Sequence, residues 1–230
     1  MSEYLKPTPE HLNLALVDQS LQSVQDNWSE INELLAKHKI GAKNPPFNSE
    51  VRQRMMIGYE YLDKLILQDV EPCVDSSLHH MLALNTIVLY GNDHRLRMEN
   101  AQALKETSAH FYDQVEYVSD WYKRHKKRGD DFRKITAEVY IAILGQPQLF
   151  KSDGNHRTGA LIASWVNMQG NYPPFVLSSE NALAYFAPSI EIKHLTHKSE
   201  WRKGRHRLPK YRKSFLEFWE NHTDSKYSVK

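Results

Sequence analysis

Hydrophobic positions recur every three or four residues over most of this chain, which is the spacing of helices that bury one face. Glycine and proline clusters such as Asn44-Pro45-Pro46 and Gly145-Gln146-Pro147 interrupt the pattern and predict helix ends. The predicted helices cover residues 18–38, a stretch from a cap at Asn48 or Ser49 through Ile66, residues 76–90, one or two helices within 94–127 with a break near Thr107-Ser108, and residues 131–144. The pattern therefore predicts an all-α fold.

The remaining segments change this picture little. Phe175-Val176-Leu177, after two prolines, is a short β-prone stretch that suits a small hairpin. A last helix is predicted from the apolar positions Phe215, Leu216, Phe218 and Trp219. We expect one all-α domain with an N-terminal helical extension.

Composition excludes several classes of protein. The chain has 230 residues and a single cysteine, Cys73, so neither a disulfide framework nor a thiolate zinc site is expected. No apolar run approaches the ~18 residues of a membrane span. The first residues lack the cationic and apolar pattern of a signal peptide. We expect a cytoplasmic protein, or one delivered to a host cytoplasm without a cleaved signal.

The net charge of +2 is distributed unevenly. Residues 193–213 contain nine Lys or Arg and one acid, against 21 basic and 27 acidic residues in the rest of the chain. Such a segment fits a phosphorylated ligand, nucleic acid or an acidic partner, and equally a solvated loop before the last helix. The sequence leaves these alternatives open.

A polar run from Lys151 to Arg157 stands immediately before a predicted helix of small and apolar residues. The first N–H groups of a helix have no partner within it, and the helix dipole favours an anion there. Gly154 permits a sharp turn, and Arg157 can donate two hydrogen bonds to phosphate oxygens. A cation at a helix N-terminus opposes the dipole, and a bound anion would remove that conflict. The run therefore predicts either a phosphate site or an ordinary turn.

The string QLFKSDGNHRT, residues 148–158, resembles the core motif of the Fic/Doc (Fido) family, which is His-Pro-Phe, two residues, then Gly-Asn-Gly-Arg. The preceding ITAEVYIAILGQP and the following TGALIASWVNMQGNYPPF resemble the flanking family helices, so that the likeness covers about residues 76–200. The resemblance implies a helical bundle with a small hairpin flap over the active site. It also implies transfer of AMP, or another phosphate-containing group, to a hydroxyl of a target protein.

Site residues follow from the resemblance. It implies that a nucleotide, for which ATP is the first candidate, binds at Gly154, Asn155, His156, Arg157 and Thr158. It further implies Mg²⁺ at Asp153 and burial of Phe150 as the residue that fixes the loop to the core. No role for a membrane is implied.

Several positions depart from the family motif. Gln148 stands where the family has its catalytic histidine, and glutamine cannot act as the general base. One extra residue lies between Phe150 and Gly154, and Ala160 replaces a frequent second arginine. His156 is the candidate for a substitute base, because neutral histidine can accept a proton near pH 7. The catalytic residue is therefore left unassigned.

Two functions remain from this sequence. The first is a divergent Fic-like protein that binds a nucleotide or phosphate and transfers a phosphate-containing group to a protein. The alternative is a catalytically inactive Fic-like binding or scaffold protein. A nucleic-acid-binding role is disfavoured because no known module is present. The expected organisation is a helical extension in residues 1–75, a Fic-like core in 76–200, and a basic segment with a last helix in 201–230.

Overall fold

The computed structural model describes residues 10–38, 46–145, 147–151, 153–193 and 208–229. Within these ranges the chain forms ten α-helices and one small sheet, which confirms the all-α fold class. The helices are α1 (Leu14–Asp26), α2 (Trp28–Lys37), α3 (Ser49–Leu67), α4 (Leu78–Tyr90), α5 (His94–Glu99), α6 (Ala101–Arg128), α7 (Phe132–Leu144), α8 (Asn155–Gln169), α9 (Ala182–Lys193) and α10 (Leu208–His222), with single 3-10 turns at Asp75–Ser77 and Ser225–Tyr227.

Short polar side chains explain where four of the helices begin. Asn13, Asn48, Asp93 and Asp131 precede α1, α3, α5 and α7, and the side chain of each accepts a hydrogen bond from a backbone N–H of the first turn. Each bond satisfies an amide that has no partner within its helix. The prediction of a cap at Asn48 or Ser49 is thereby confirmed, with Asn48 as the capping residue.

Two helix breaks differ from the prediction. Residues 18–38 lie in two helices, because the Asn27 side-chain amide donates to the Ser23 carbonyl at 2.8 Å where α1 ends. The break expected near residue 107 lies instead at Asn100, whose amide donates to the Leu96 carbonyl at 2.8 Å. Asparagine amides compete for backbone carbonyls in this way and favour helix ends. Thr107 itself is buried within α6.

The small sheet joins the two ends of the described chain. Strand β1 (His11–Leu12) pairs antiparallel with β2 (Ser228–Val229), with His11 opposite Val229. The β-prone stretch 175–177 is buried and contributes one bridge, between Phe175 and Thr223.

Helices α7 and α8 pack against each other at the centre of the fold, with α3 and α4 on α8 and α10 on α7. The core between these helices contains the buried residues Ile135, Val139, Ile143, Leu161, Trp165 and Val166, whereas Phe132 is half-buried. Two buried polar contacts connect these layers. The Thr136 hydroxyl donates to Asn167 Oδ1 at 2.6 Å, and the Tyr59 hydroxyl donates to the Phe175 carbonyl at 3.0 Å.

Buried apolar residues form a continuous cluster from Leu12 to Tyr227 across the described ranges. The N-terminal helices belong to this cluster through residues such as Leu21 and Leu62. Of the basic segment 193–213, residues 194–207 lie outside the described residues. None of the described helices is both long and apolar enough to cross a membrane.

Candidate functional site

The loop between α7 and α8 is held against the core at Leu149 and Phe150. Both side chains are buried, and the Phe150 ring stacks on Phe111 of α6 with centroids 5.3 Å apart and planes 8° apart. The Leu149 N–H donates to the Ile143 carbonyl at 3.1 Å. Phe150 therefore occupies the buried position that the family resemblance implies.

Helix α6 makes two further polar contacts with this loop. His110 Nε2 lies 2.8 Å from the Gln148 carbonyl oxygen, which can only accept, so this nitrogen carries the proton. One turn earlier, Glu106 forms an ion pair with Lys151 at 2.6 Å. His110 is thus a residue of the site that sequence reasoning missed, because nothing in the sequence shows that α6 crosses the loop.

The side chain of Asn155 fixes the shape of the loop. Its Oδ1 accepts from the Phe150 N–H at 3.1 Å, and its Nδ2 donates to the Phe150 carbonyl at 3.0 Å and to Gln148 Oε1 at 3.4 Å. Asn155 is buried, so these bonds satisfy backbone groups that water does not reach. Asn155, which the sequence predicted to bind a phosphate, therefore has a structural role in the loop.

Gly154 precedes α8 in the left-handed conformation, with φ +89° and ψ −1°. A Cβ here would lie 3.2 Å from Val88 Cγ2 and 3.3 Å from Leu89 Cδ2 of α4. Glycine thus serves the close approach of α8 to α4 as well as the turn. Because Gly154 has no side chain to cap the helix, the first N–H groups of α8 receive no bond from it.

A second asparagine connects α4 to the start of α8. The buried Asn85 amide donates to Thr158 Oγ1 at 3.1 Å and contacts the Asp153 carbonyl at 3.4 Å. Thr158 is buried, and its N–H donates to the Gly154 carbonyl at 2.8 Å. Thr158 therefore takes part in packing α8 on α4, and its side chain is not exposed to a ligand.

Arg157 projects from the first turn of α8 toward the end of α4. Its Nη1 donates to the Val88 carbonyl at 3.0 Å, in the last turn of α4, where the helix dipole favours a cation. This contact offsets the unfavourable position of an arginine at a helix N-terminus. Burial lowers the pKa of Arg157, while the charge of Asp153 raises it and that of Arg54 lowers it.

The Val88 carbonyl is the only hydrogen-bond acceptor for Arg157 in the described ranges. A guanidinium has five N–H donors, so most of the donors on this half-buried group have no acceptor among the described residues. Arg157 is consequently the predicted site residue that is best able to bind an anion.

His156 is half-buried at the start of α8. Its carbonyl accepts from the Tyr185 hydroxyl at 2.7 Å, and its ring centroid lies 6.5 Å from that of Phe186 on α9. Burial raises the pKa of Tyr185, so this phenol stays protonated and donates at neutral pH. These contacts connect α8 to α9. They do not assign to His156 the role of a substitute base.

Asp153 is exposed and stands beside the start of α8. Within the described ranges, no three His, Cys, Asp or Glu side chains lie close enough together to hold a metal ion. Mg²⁺ bound to a nucleotide needs only one or two carboxylates, because phosphate oxygens and water supply its other ligands. A single carboxylate such as that of Asp153 is therefore enough for Mg²⁺ that is bound to a nucleotide.

Gln148 is half-buried, with its side chain near Asn155 and its carbonyl near His110. The family's general-base position is thus occupied by a neutral amide that contacts the loop. No family model, curated protein or solved structure matches this chain. The resemblance to the Fic family accordingly depends on the motif residues themselves.

Proposed function

We propose that this chain is a Fic-like protein that binds the phosphate group of a nucleotide at the start of α8, without efficient transfer of that group. ATP is the first candidate, with Mg²⁺ bound between its phosphates and Asp153. A protein partner is part of the proposal, since the Fic-like fold acts on other proteins, and its identity is left open.

The observation that carries this proposal is the environment of Arg157. The guanidinium is half-buried, its pKa is lowered by burial, and one backbone carbonyl is its single acceptor in the described ranges. A partly desolvated cation with unused donors favours a bound anion. Gly154, the residue before α8, has no side chain that could occupy the start of the helix, and the helix dipole there favours the same ligand.

The chemistry at Gln148 supports binding over transfer. General-base catalysis typically contributes about 10²–10⁴-fold to a reaction rate, and glutamine cannot provide it. His110 lies against the same loop, but its Nε2 proton is donated to the Gln148 carbonyl. We therefore expect transfer from ATP to a protein hydroxyl to be weak or absent.

Calorimetry with Arg157→Gln tests the binding step. Glutamine retains an N–H donor for the Val88 carbonyl and removes the charge, so the fold should be preserved. We expect the affinity for ATP to fall about tenfold or more, the usual effect of losing a charged hydrogen bond. Arg95→Gln is the matched control, since the Arg95 side chain is 80% exposed in an ion pair with Glu99. Equal ATP affinity in Arg157→Gln and wild type, or no binding by the wild type, would contradict the proposal.

A label-transfer assay tests the expected lack of catalysis. Wild-type protein incubated with labelled ATP and candidate partner proteins should produce little labelled product, and Gln148→His should produce more because it restores an imidazole. Robust transfer by the wild type would show that another group acts as the base. Loss of that transfer in His156→Ala, or in His110→Ala, would then identify the group.

A further inference from the structure

Three arginines from three different helices lie at the C-terminal end of α4, which Gly91 caps. Arg157 of α8 donates to the Val88 carbonyl, and Arg97 of α5 donates to the Gly91 carbonyl. Arg54 of α3 packs against Gly91, since a Cβ added to this glycine would lie 3.4 Å from Arg54 Cγ. Val88 and Gly91 are three residues apart, about 4.5 Å along a helix axis. The fold thus gathers three cationic side chains next to the start of α8.

Arg97 and Arg157 satisfy carbonyls at the negative end of α4. Without them, these carbonyls would repel an anion at the neighbouring start of α8. Arg97 also contacts Asn92 Oδ1 at 3.5 Å, and its Nε is buried without a hydrogen-bond partner among the described residues. Of these three arginines, Arg54 and Arg157 lie close enough for their charges to interact, since Arg54 adds to the lowering of the Arg157 pKa that burial causes.

Three carboxylates lie near this turn, and two of them are already engaged. Glu50 pairs with Arg54, and Asp93 accepts from the Leu96 N–H at the start of α5. Asp153 acts on Arg157 through its charge. The Glu50 side chain is 60% exposed, whereas that of Arg54 is only 19% exposed, so the carboxylate is the partner that can move into solvent.

We propose that Arg54 and Arg157 together bind a ligand with two linked phosphates. Arg157 binds one phosphate at the start of α8, and Arg54 binds the next one. This inference rests on the proposed function, since it needs a phosphate at the start of α8. It adds a binding residue from an N-terminal helix, and it specifies a diphosphate or longer chain as the recognised group.

Calorimetry with orthophosphate and pyrophosphate, in the presence of EDTA, tests this inference. Wild-type protein should bind pyrophosphate at least tenfold more tightly than orthophosphate, because one more charged contact is made. Arg54→Gln should lose about tenfold in pyrophosphate affinity and leave orthophosphate binding within twofold. Arg54→Lys should retain part of the pyrophosphate affinity, and circular dichroism should show that both variants keep the wild-type helix content.

Glu50→Gln is the informative companion to Arg54→Gln. It frees Arg54 from its ion pair, so pyrophosphate affinity should rise several-fold, while Arg95→Gln should change nothing. If Arg54→Gln binds pyrophosphate as tightly as the wild type, or if affinity falls in Glu50→Gln, the inference is wrong although the proposed function stands. If the wild type binds neither anion, the proposed function fails as well.

A second ligand pair, ATP and inorganic tripolyphosphate, identifies the source of the phosphates. Tighter binding of ATP than of inorganic tripolyphosphate supports a nucleotide, and equal binding supports a free polyphosphate chain. Either result agrees with two arginines that recognise linked phosphates. Tripolyphosphate affinity no greater than that of orthophosphate contradicts that role.

Discussion

Gly154 shows how much the structure of one residue changes the interpretation of the motif. The sequence suggests that glycine is needed there for an anion, whereas its positive φ and its contacts with Val88 and Leu89 give it a packing role of its own. Gly129, which ends α6, shares the left-handed conformation at φ +75°, but a Cβ at that position would meet no atom within 4 Å. A side chain at Gly129 would meet backbone strain alone, whereas a side chain at Gly154 would meet both backbone strain and crowding by α4.

Replacing each glycine with alanine measures both effects. Gly129→Ala should lower the free energy of unfolding by about 1–2 kcal/mol, the cost of a left-handed alanine. Gly154→Ala should cost about 1 kcal/mol or more beyond that, because the new methyl group crowds α4. Denaturant unfolding of the two variants provides the comparison. Equal losses would mean that α8 adjusts freely against α4.

Asn155 and Arg157 also have structural contacts that the motif does not reveal. The sequence identified the residue types and the helix that follows them. It could not identify Val88 as the partner of Arg157, or Asn85 as the partner of Thr158, because these partners lie about 70 positions away in the chain. Local pattern predicts a turn and a helix start, whereas the partners of a polar side chain depend on how distant helices pack.

At the scale of the elements, helical periodicity predicted most helices, and the errors occurred at asparagines. Asn27 and Asn100 end helices where the apolar pattern continues. A polar pair between α3 and α4 shows another contact that periodicity cannot predict. The Tyr61 hydroxyl and His80 Nδ1 are 2.6 Å apart, and the rings of His79 and His80 lie with their centroids 3.8 Å apart and their planes tilted by 42°.

This pair predicts a pH dependence of stability. Burial, followed by the charge of His79, lowers the pKa of His80 below its ordinary value of 6.5. The unfolded chain therefore takes up the proton first as pH falls, so the contribution of His80 is full above pH 6.5 and declines as pH falls toward the lower folded-state pKa. His80→Gln should show a smaller fall in Tm between pH 7.5 and 5.5 than the wild type. The exposed His94→Gln is the control, and identical pH profiles for wild type and His80→Gln would contradict the prediction.

At the scale of the whole molecule, the N-terminal helices are integrated into the core. A Cβ on Gly58 of α3 would lie 2.7 Å from Leu161 Cδ1 of α8. Asp63 accepts the Leu12 N–H at 2.6 Å, next to the strand pair that joins the two ends of the described chain. Composition and periodicity predicted one all-α unit. They could not show this closeness of the ends, because two-residue strands carry no distinct pattern.

A continuous core predicts that the chain unfolds as one cooperative unit. Denaturant curves followed by circular dichroism and by tryptophan fluorescence should coincide, since Trp28 lies in α2 while Trp165 and Trp219 lie in the buried core. Two separate transitions would show that the N-terminal helices fold independently of the rest.

The most direct test of the central claim is an NMR titration of ¹⁵N-labelled protein with pyrophosphate. A phosphate at the start of α8 should shift the backbone amides of Asn155, His156 and Arg157, together with the Arg157 side-chain Nε–H, more than any other signals. These shifts should saturate along one binding curve and be lost in Arg157→Gln. Saturating shifts confined to other helices, or no shifts at millimolar pyrophosphate, would contradict a phosphate site at the start of α8.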